Sequence, residues 1–176
     1  MLSDVEIRAA LAQGEIVIYP PPVDSDIQPA SIDVHLGSRI GILLQPISEI
    51  ATRLTEPSNI SYQEIIEFVL IPKAFILAQL AERVTLSSGI VARIEGKSSI
   101  GRKGVAIHVT AGFVDPGWDG ILTLEIYNAS NIPYILRPGD PIGQLAFDRL
   151  VIPSERPYGH KDLGSHFQGS DEVKGS

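Results

Sequence analysis

Apolar residues in this chain come in short runs, and each run is closed by Gly, Pro, Asp or Ser within a few positions. Residues 31–36 alternate around Ile32, Val34 and Leu36, and residues 40–44 are continuously apolar. Residues 67–71 and 75–80 flank Pro72, Lys73 and Ala74 in the manner of a hairpin. Further strands are expected at 91–95, 105–110, 121–127, 132–136 and 142–150. Tight-turn signals stand at Asp119-Gly120 and at Arg137-Pro138-Gly139-Asp140. With 16 Gly and 13 Pro in 176 residues, the chain is broken too often for long helices. About ten short strands at this spacing predict a mostly β fold, an antiparallel sandwich or barrel.

One helix is announced. Ser3 can cap it, Glu6 completes a capping box, Leu2 can staple onto Ile7, and Gly14 is the stop, which predicts a helix over residues 4–13. A strand over 15–19 follows, halted by Pro20, Pro21 and Pro22. Residues 45–62 are polar and rich in Pro and Ser, as in a surface excursion. No repeat and no linker divides the chain, so residues 1–153 are read as a single β domain. The tail, 154–176, is Gly/Ser-rich and mixed in charge. It is either a plain terminus or a segment ordered by ligand.

Composition excludes several function classes. Lys and Arg number 14 against 21 Asp and Glu, a net charge of −7. Nucleic-acid binding relies on neutralised phosphates, so this balance argues against it. The absence of Cys removes disulfides, thiol nucleophiles and every Cys-containing zinc site. No stretch approaches the roughly 20 apolar residues of a membrane span. The start, MLSDVEIRAAL, lacks a signal peptide's basic-then-apolar layout. A cytoplasmic protein is the expectation.

The chemistry concentrates between Glu95 and Asn128. Four of the 14 basic residues, Arg93, Lys97, Arg102 and Lys103, fall within eleven positions around Gly96, Ser98, Ser99 and Gly101. Small residues admit a ligand to the backbone, hydroxyls and amides donate, and cations neutralise charge, a combination that suits a phosphate chain. A basic surface turn would have the same composition. Asp115 in Asp115-Pro116-Gly117 either presents a carboxylate at a turn or bonds its own backbone. Glu125 lies inside the apolar strand LTLEIY, sharing a face with Thr123 and Tyr127 while Leu124 and Ile126 take the other. It either faces solvent or sits in a pocket with a raised pKa, suited to general-base work. The four His (35, 108, 160, 166) are not spaced as metal ligands, and His108 is expected to be packed within a strand.

Four stretches taken together, Ile27-Gln28-Pro29-Ala30-Ser31-Ile32-Asp33-Val34, EGKSSIGR, HVTAGFVDPGW and LTLEIYN, resemble the dCTP deaminases of the trimeric dUTPase superfamily. The resemblance runs from residues 2–4 to Pro157-Tyr158-Gly159. It implies a distorted jelly-roll β-barrel or sandwich of the dUTPase-like type with a short N-terminal helix, assembled as a homotrimer with active sites between subunits. By position, Lys97, Ser98, Ser99, Ile100, Gly101 and Arg102 match the phosphate-binding run, and Asp115 matches the residue at the deoxyribose 3′-hydroxyl. Thr123, Leu124 and Glu125 match the strand that reads the pyrimidine, Glu125 being the catalytic carboxylate. Ser98, Arg102 and the Ala111 carbonyl resemble the groups that place the water. Gln144, Tyr158, His166 and Gln168 correspond to further nucleotide contacts.

The resemblance also implies dCTP and dUTP as ligands, Mg²⁺ entering with the triphosphate rather than a resident zinc, and dTTP as an inhibitor. Gly112-Phe113 is similar to the Gly-aromatic pair of the branch that carries dCTP through to dUMP and diphosphate for dTMP synthesis. The branch releasing dUTP and ammonia has His-Arg there. A glycine leaves room near the α-phosphate for a second water. A plain dUTPase and an inactive nucleotide-binding regulator are the remaining alternatives. The tail, expected to be the active-site lid, departs from the family pattern: His166 stands for Lys, Phe167 for Tyr, and Ser170 for Gln. His35 stands where Arg is usual.

Overall fold

The computed structural model describes residues 1–43 and 60–173. The helix announced by the capping box forms as α1 (Asp4–Ala12), with the Ser3 N–H donating to the Glu6 carboxylate at 2.8 Å. Its buried residues are Ile7 and Ala10, and the Leu2 N–H just before it donates to the Phe147 carbonyl at 2.7 Å, docking the helix on the sheet.

Strands follow in chain order: β1 (Ile16–Tyr19), β2 (Ile27–Gln28), β3 (Ser31–Leu43), β4 (Ile60–Glu64), β5 (Phe68–Leu70), β6 (Phe75–Leu86) and β7 (Ile90–Gly96). A single helical turn, α2 (Ser98–Gly101), precedes β8 (Val105–Ala106), β9 (Phe113–Val114), β10 (Asp119–Asn128), β11 (Tyr134–Leu136) and β12 (Pro141–Arg149). Among the described residues every strand pairing is antiparallel. The main sheet runs β8-β10-β6-β3-β12-β7-β9, with β1 also on β6 and β2 and β4 on β3.

The curl of this sheet comes from β3, which changes partners along its length. Its first half pairs with β12, Asp33 opposite Gln144 and Val34 opposite Gly143. Its second half pairs with β6, Ile40 opposite Ala78 and Ile42 opposite Ile76, after a register shift between Leu36 and Ile40. Irregularities of this kind bend a strand and let one sheet fold over its own inner face. That face holds Ile32, Val34, Leu36, Ile76, Leu80, Leu124, Ile126, Leu145 and Phe147, all buried. Each such side chain contributes roughly 1.5–3 kcal/mol of burial. Period-two alternation in β6 and β10 sets which residues face outward, and so puts Thr123, Glu125 and Tyr127 on the half-exposed side.

The mostly β architecture and the short N-terminal helix stand as expected, while several local readings are corrected. Residues 31–36 and 40–43 form one strand, with residue 44 outside the described residues. Residues 67–71 and 75–80 are not a hairpin: β5 pairs with β11, while β6 pairs with β1, β3 and β10. Pro72 and Lys73 (φ 64°) mark where the chain turns, but a local turn does not choose the edge that the next strand joins. Asp119-Gly120 lies inside β10 rather than at a hairpin tip. The turn is one step earlier, at Asp115-Pro116-Gly117-Trp118, where the Trp118 N–H donates to the Asp115 carbonyl and Gly117 takes φ 86°. Pro second and Gly third are what a type II turn demands. The strand expected over 105–110 ends at Ala106, so His108 lies in irregular backbone. Within 45–62, residues 45–59 lie outside the described residues and 60–62 open β4.

Candidate active site

Glu125 projects from β10 into the turn of residues 107–112, and that turn explains why β8 stops so early. Its Oε2 accepts three backbone N–H groups, from Thr110 at 2.8 Å, Val109 at 3.0 Å and Ala111 at 3.4 Å. Backbone that donates to a carboxylate cannot also donate to a neighbouring strand. Burial pushes the Glu125 carboxyl up, but the N–H groups of Thr110, Val109 and Ala111, with the Thr110 side chain, outweigh it and hold the pKa below its ordinary value. Glu125 is therefore half-buried and anionic, which corrects the reading of a pocket with a raised pKa.

The same turn is fixed on its far side, where the Ile94 N–H of β7 donates to the Gly112 carbonyl at 2.8 Å. A Cβ on Gly112 would lie 3.0 Å from His108 Cε1 and 3.1 Å from its Nδ1. The room expected beside Gly112 is thus taken by the His108 ring, whose Nδ1 is buried without a hydrogen-bond partner among the described residues. Ala111 and Phe113 are exposed on either side.

The basic run resolves into two parts. Arg93 points to Asp148 on β12 (3.3 Å), and Lys103 lies 5.4 Å from the centre of the Tyr134 ring, so neither joins the turn. Lys97 and Arg102 bracket α2 as its N- and C-caps, with Ser98, Ser99 and Gly101 exposed between them and Ile100 buried as the anchor. Lys97 Nζ pairs with the Asp33 carboxylate of β3. Next to it, Gln144 of β12 stands opposite both Asp33 and Glu95, and its Oε1 accepts from the Ser31 hydroxyl at 3.0 Å.

The tail packs against its own chain. The Tyr158 N–H donates to the Pro116 carbonyl at 2.8 Å, and the Tyr158 ring lies 5.4 Å from that of Trp118. Gln168 Nε2 donates to the Gly117 carbonyl at 3.0 Å and its Oε1 accepts from the Asp119 N–H at 3.3 Å. Ser170 bridges to Gly120, and Asp171 and Glu172 pair with Arg83 and Arg39. Gly117 is needed here twice over: besides its positive φ, a Cβ would sit 2.5 Å from Pro157 Cβ. Between tail and body lies a cleft of about 470 Å³ lined by Asp115, Tyr158, His166 and Phe167 among others.

The residues singled out from sequence thus form three groups: Glu125 with Ala111 and Gly112, joined by Val109 and Thr110, which the sequence does not single out; Lys97–Arg102 with Gln144; and Asp115 with Tyr158 and His166. Thr123 and Leu124 flank Glu125 on β10, Thr123 on its face and Leu124 buried behind. Gln168 spends its amide on the Asp115–Asp119 backbone.

A family described as dCTP deaminase-like matches residues 1–150. The chain belongs to the dCTP deaminase-like family. Relatives similar to this dCTP deaminase-like chain include proteins named "dCTP deaminase, dUMP-forming" from Methanosphaera stadtmanae, 41% identical over 175 residues, and Bifidobacterium animalis subsp. lactis, 43% over 176. Each alignment covers 96% of this chain and 89% of the relative. Among solved structures, the 2′-deoxycytidine 5′-triphosphate deaminase of Agrobacterium tumefaciens superposes with a TM-score of 0.66 at 25% identity, over 85% of this chain. This chain spans about half, 47%, of that longer one. The dUTPase of Staphylococcus aureus phage phi11 matches at TM-score 0.53 and 15% identity, covering 79% of this chain and 92% of that one, and shares the fold.

Two carboxylates, Asp33 at this dCTP deaminase-like site and Glu82 away from it, carry no local sequence signal of their partners. Asp33 stands inside one of the family-like motifs, but nothing near it in sequence marks Lys97, 64 positions away, as its partner. Glu82, 6% exposed on the inner face of β6, accepts from both the backbone N–H (3.1 Å) and Nδ1 (2.7 Å) of His35. A carboxylate at a buried position of an alternating strand was its only signal.

Proposed function

We propose that this protein hydrolyses dCTP to dUMP, ammonia and diphosphate, acting first at C4 of the base and then at the α-phosphate. The observation that carries this reading is the near-full-length similarity to relatives named dUMP-forming dCTP deaminases. The geometry around Glu125 supports it. An ionised carboxylate beside a fixed peptide turn can take a proton from water as its oxygen attacks C4 and pass it to the ring nitrogen. It can then carry the second proton from the new C4 hydroxyl to the amine, which leaves as ammonia while the C4 carbonyl forms. Ser98, Arg102 and the Ala111 carbonyl hold that water and the developing charge. Lys97 and the α2 turn receive the triphosphate, Asp115 the deoxyribose, and the tail with Tyr158 and His166 closes as a lid that excludes bulk water.

Mg²⁺ would enter with the triphosphate as part of the substrate and would offset phosphate charge beside Lys97 and Arg102. The three residue groups are completed across subunit contacts of a homotrimer, and the exposed Val109 and Phe113 beside the Glu125 turn suit such a contact. Product dUMP feeds dTMP synthesis, which makes dTTP the natural feedback inhibitor. The deciding experiment incubates the protein with dCTP and Mg²⁺ and resolves nucleotides by anion exchange. Accumulation of dUMP and diphosphate with no dUTP phase is expected. Accumulation of dUTP would overturn the second step, and no turnover would overturn the reading as a whole.

A further inference from the structure

We infer that Asp33 is a positioning residue whose largely buried carboxylate presets the Lys97 ammonium for a triphosphate. The inference rests on the reading of residues 97–102 as the phosphate turn. Asp33 sits on β3 directly across from Gln144 on β12, and β12 in turn pairs with β7, the strand that ends at Gly96 just before Lys97. Its Oδ2 accepts from Lys97 Nζ and, at 3.4 Å, from Gln28 Nε2. Gln28 is held by a second bond, from the same nitrogen to the Ser25 carbonyl at 3.0 Å. The Asp33 and Lys97 side chains are only 13% and 23% exposed.

Stability alone is a poor reason for this pair. A buried ion pair offsets its desolvation only when every lone pair is satisfied, and Asp33 Oδ1 is buried with no donor among the described residues. What the pair does supply is order. A lysine stem is long and flexible, and a ligand that must immobilise it loses affinity for doing so. With one N–H spent on Asp33, Lys97 keeps two donors for phosphate oxygens, already at the head of α2.

Two effects of opposite sign compete. Asp33 partly cancels the charge of Lys97, which weakens anion attraction, while it fixes the ammonium, which strengthens binding. Positioning dominates in this inference, because among the described residues only one carboxylate oxygen meets the ammonium and two of its N–H groups stay unspent. Asp33→Asn is therefore expected to weaken binding rather than tighten it.

The test is a double-mutant cycle on the full-length protein, using inorganic tripolyphosphate as the probe and calorimetric Kd as the readout. Asp33→Asn, nearly isosteric, and Asp33→Ser are each expected to weaken binding by about threefold to tenfold, the scale for freeing one long side chain. In a Lys97→Met background the same substitutions should have no further effect, because Asp33 acts through Lys97. With dCTP, KM should rise by the same factor while kcat stays within about twofold. Tighter or unchanged binding by Asp33→Asn would overturn the inference, and so would an undiminished loss in the Lys97→Met background, which would mean a purely structural role. Tripolyphosphate binding does not depend on base chemistry. Failure of the native protein to turn over dCTP would thus overturn the proposed function and leave this cycle to stand or fall by itself.

Discussion

Replacing Glu125 with Gln separates the chemical role of the carboxylate from its structural one, because an amide oxygen can still accept the N–H groups of Val109, Thr110 and Ala111. Two of those three bonds are short, 2.8 and 3.0 Å, and the third is 3.4 Å. Charge-assisted bonds are roughly twice as strong as neutral ones, so the two short ones lose about 2 kcal/mol between them. Glu125 is half-exposed, and solvent screening reduces this to about 1 kcal/mol. For a chain of this size that is a fall in Tm of about 2–4 °C. General-base assistance is worth about 10²–10⁴ in rate, or roughly 3–5 kcal/mol of barrier. Ammonia release from dCTP should therefore drop by at least about a hundredfold, far more than the folding loss can explain. Rates by a coupled ammonia assay, alongside a melting curve, measure both. Ammonia release within tenfold of the native rate would refute the role assigned to Glu125, whatever the Tm.

The lowered pKa of Glu125 also sets a pH dependence. A carboxyl depressed on folding contributes stability that is fully present above its unfolded value, near 4.3, and is lost as pH falls through the lower folded value. The acid limb of the kcat/KM profile governed by Glu125 should accordingly lie below about pH 4.3, and a limb centred near pH 6 would contradict the hydrogen-bond account. Gly112→Ala should push the His108 ring by a few tenths of an ångström, since the new Cβ would lie 3.0 Å from it. The ratio of dUMP to dUTP formed from dCTP is expected to fall, and an unchanged ratio would separate Gly112 from the second hydrolysis. Arg83 joins Asp119 of β10 to Asp171 of the tail, so Arg83→Ala should loosen the tail and speed tryptic cleavage after Lys161. Equal cleavage rates would mean that the tail is held without it.

Legibility followed the range of the interaction. The capping box of Ser3 and Glu6, the alternation of β6 and β10, and the outward face shared by Thr123 and Glu125 are local, and residues within a few positions of one another determined them. The family motifs likewise pointed to the α2 turn, to Asp115 and to Glu125. Pairing was different. Residues 67–71 and 75–80 read as a hairpin, yet a turn residue specifies a change of direction and not a partner, and the long β6 found three other strands to pair along its edges. The early end of β8 was equally hidden, because the N–H groups of the turn after it, at Val109, Thr110 and Ala111, go to Glu125, between 14 and 16 residues further on. The tail's composition left its order open, and only docking of Tyr158, Gln168 and Ser170 on residues 115–121 decided it. By itself the sequence determined which residues can do the chemistry, since residue types and short spacings are written in it. Tertiary structure alone decided which charges meet, Lys97 with Asp33 and Arg83 with Asp119 and Asp171, and that Glu125 is held anionic. Those outcomes depend on backbone and side chains brought together across long stretches of chain, and no local pattern records them.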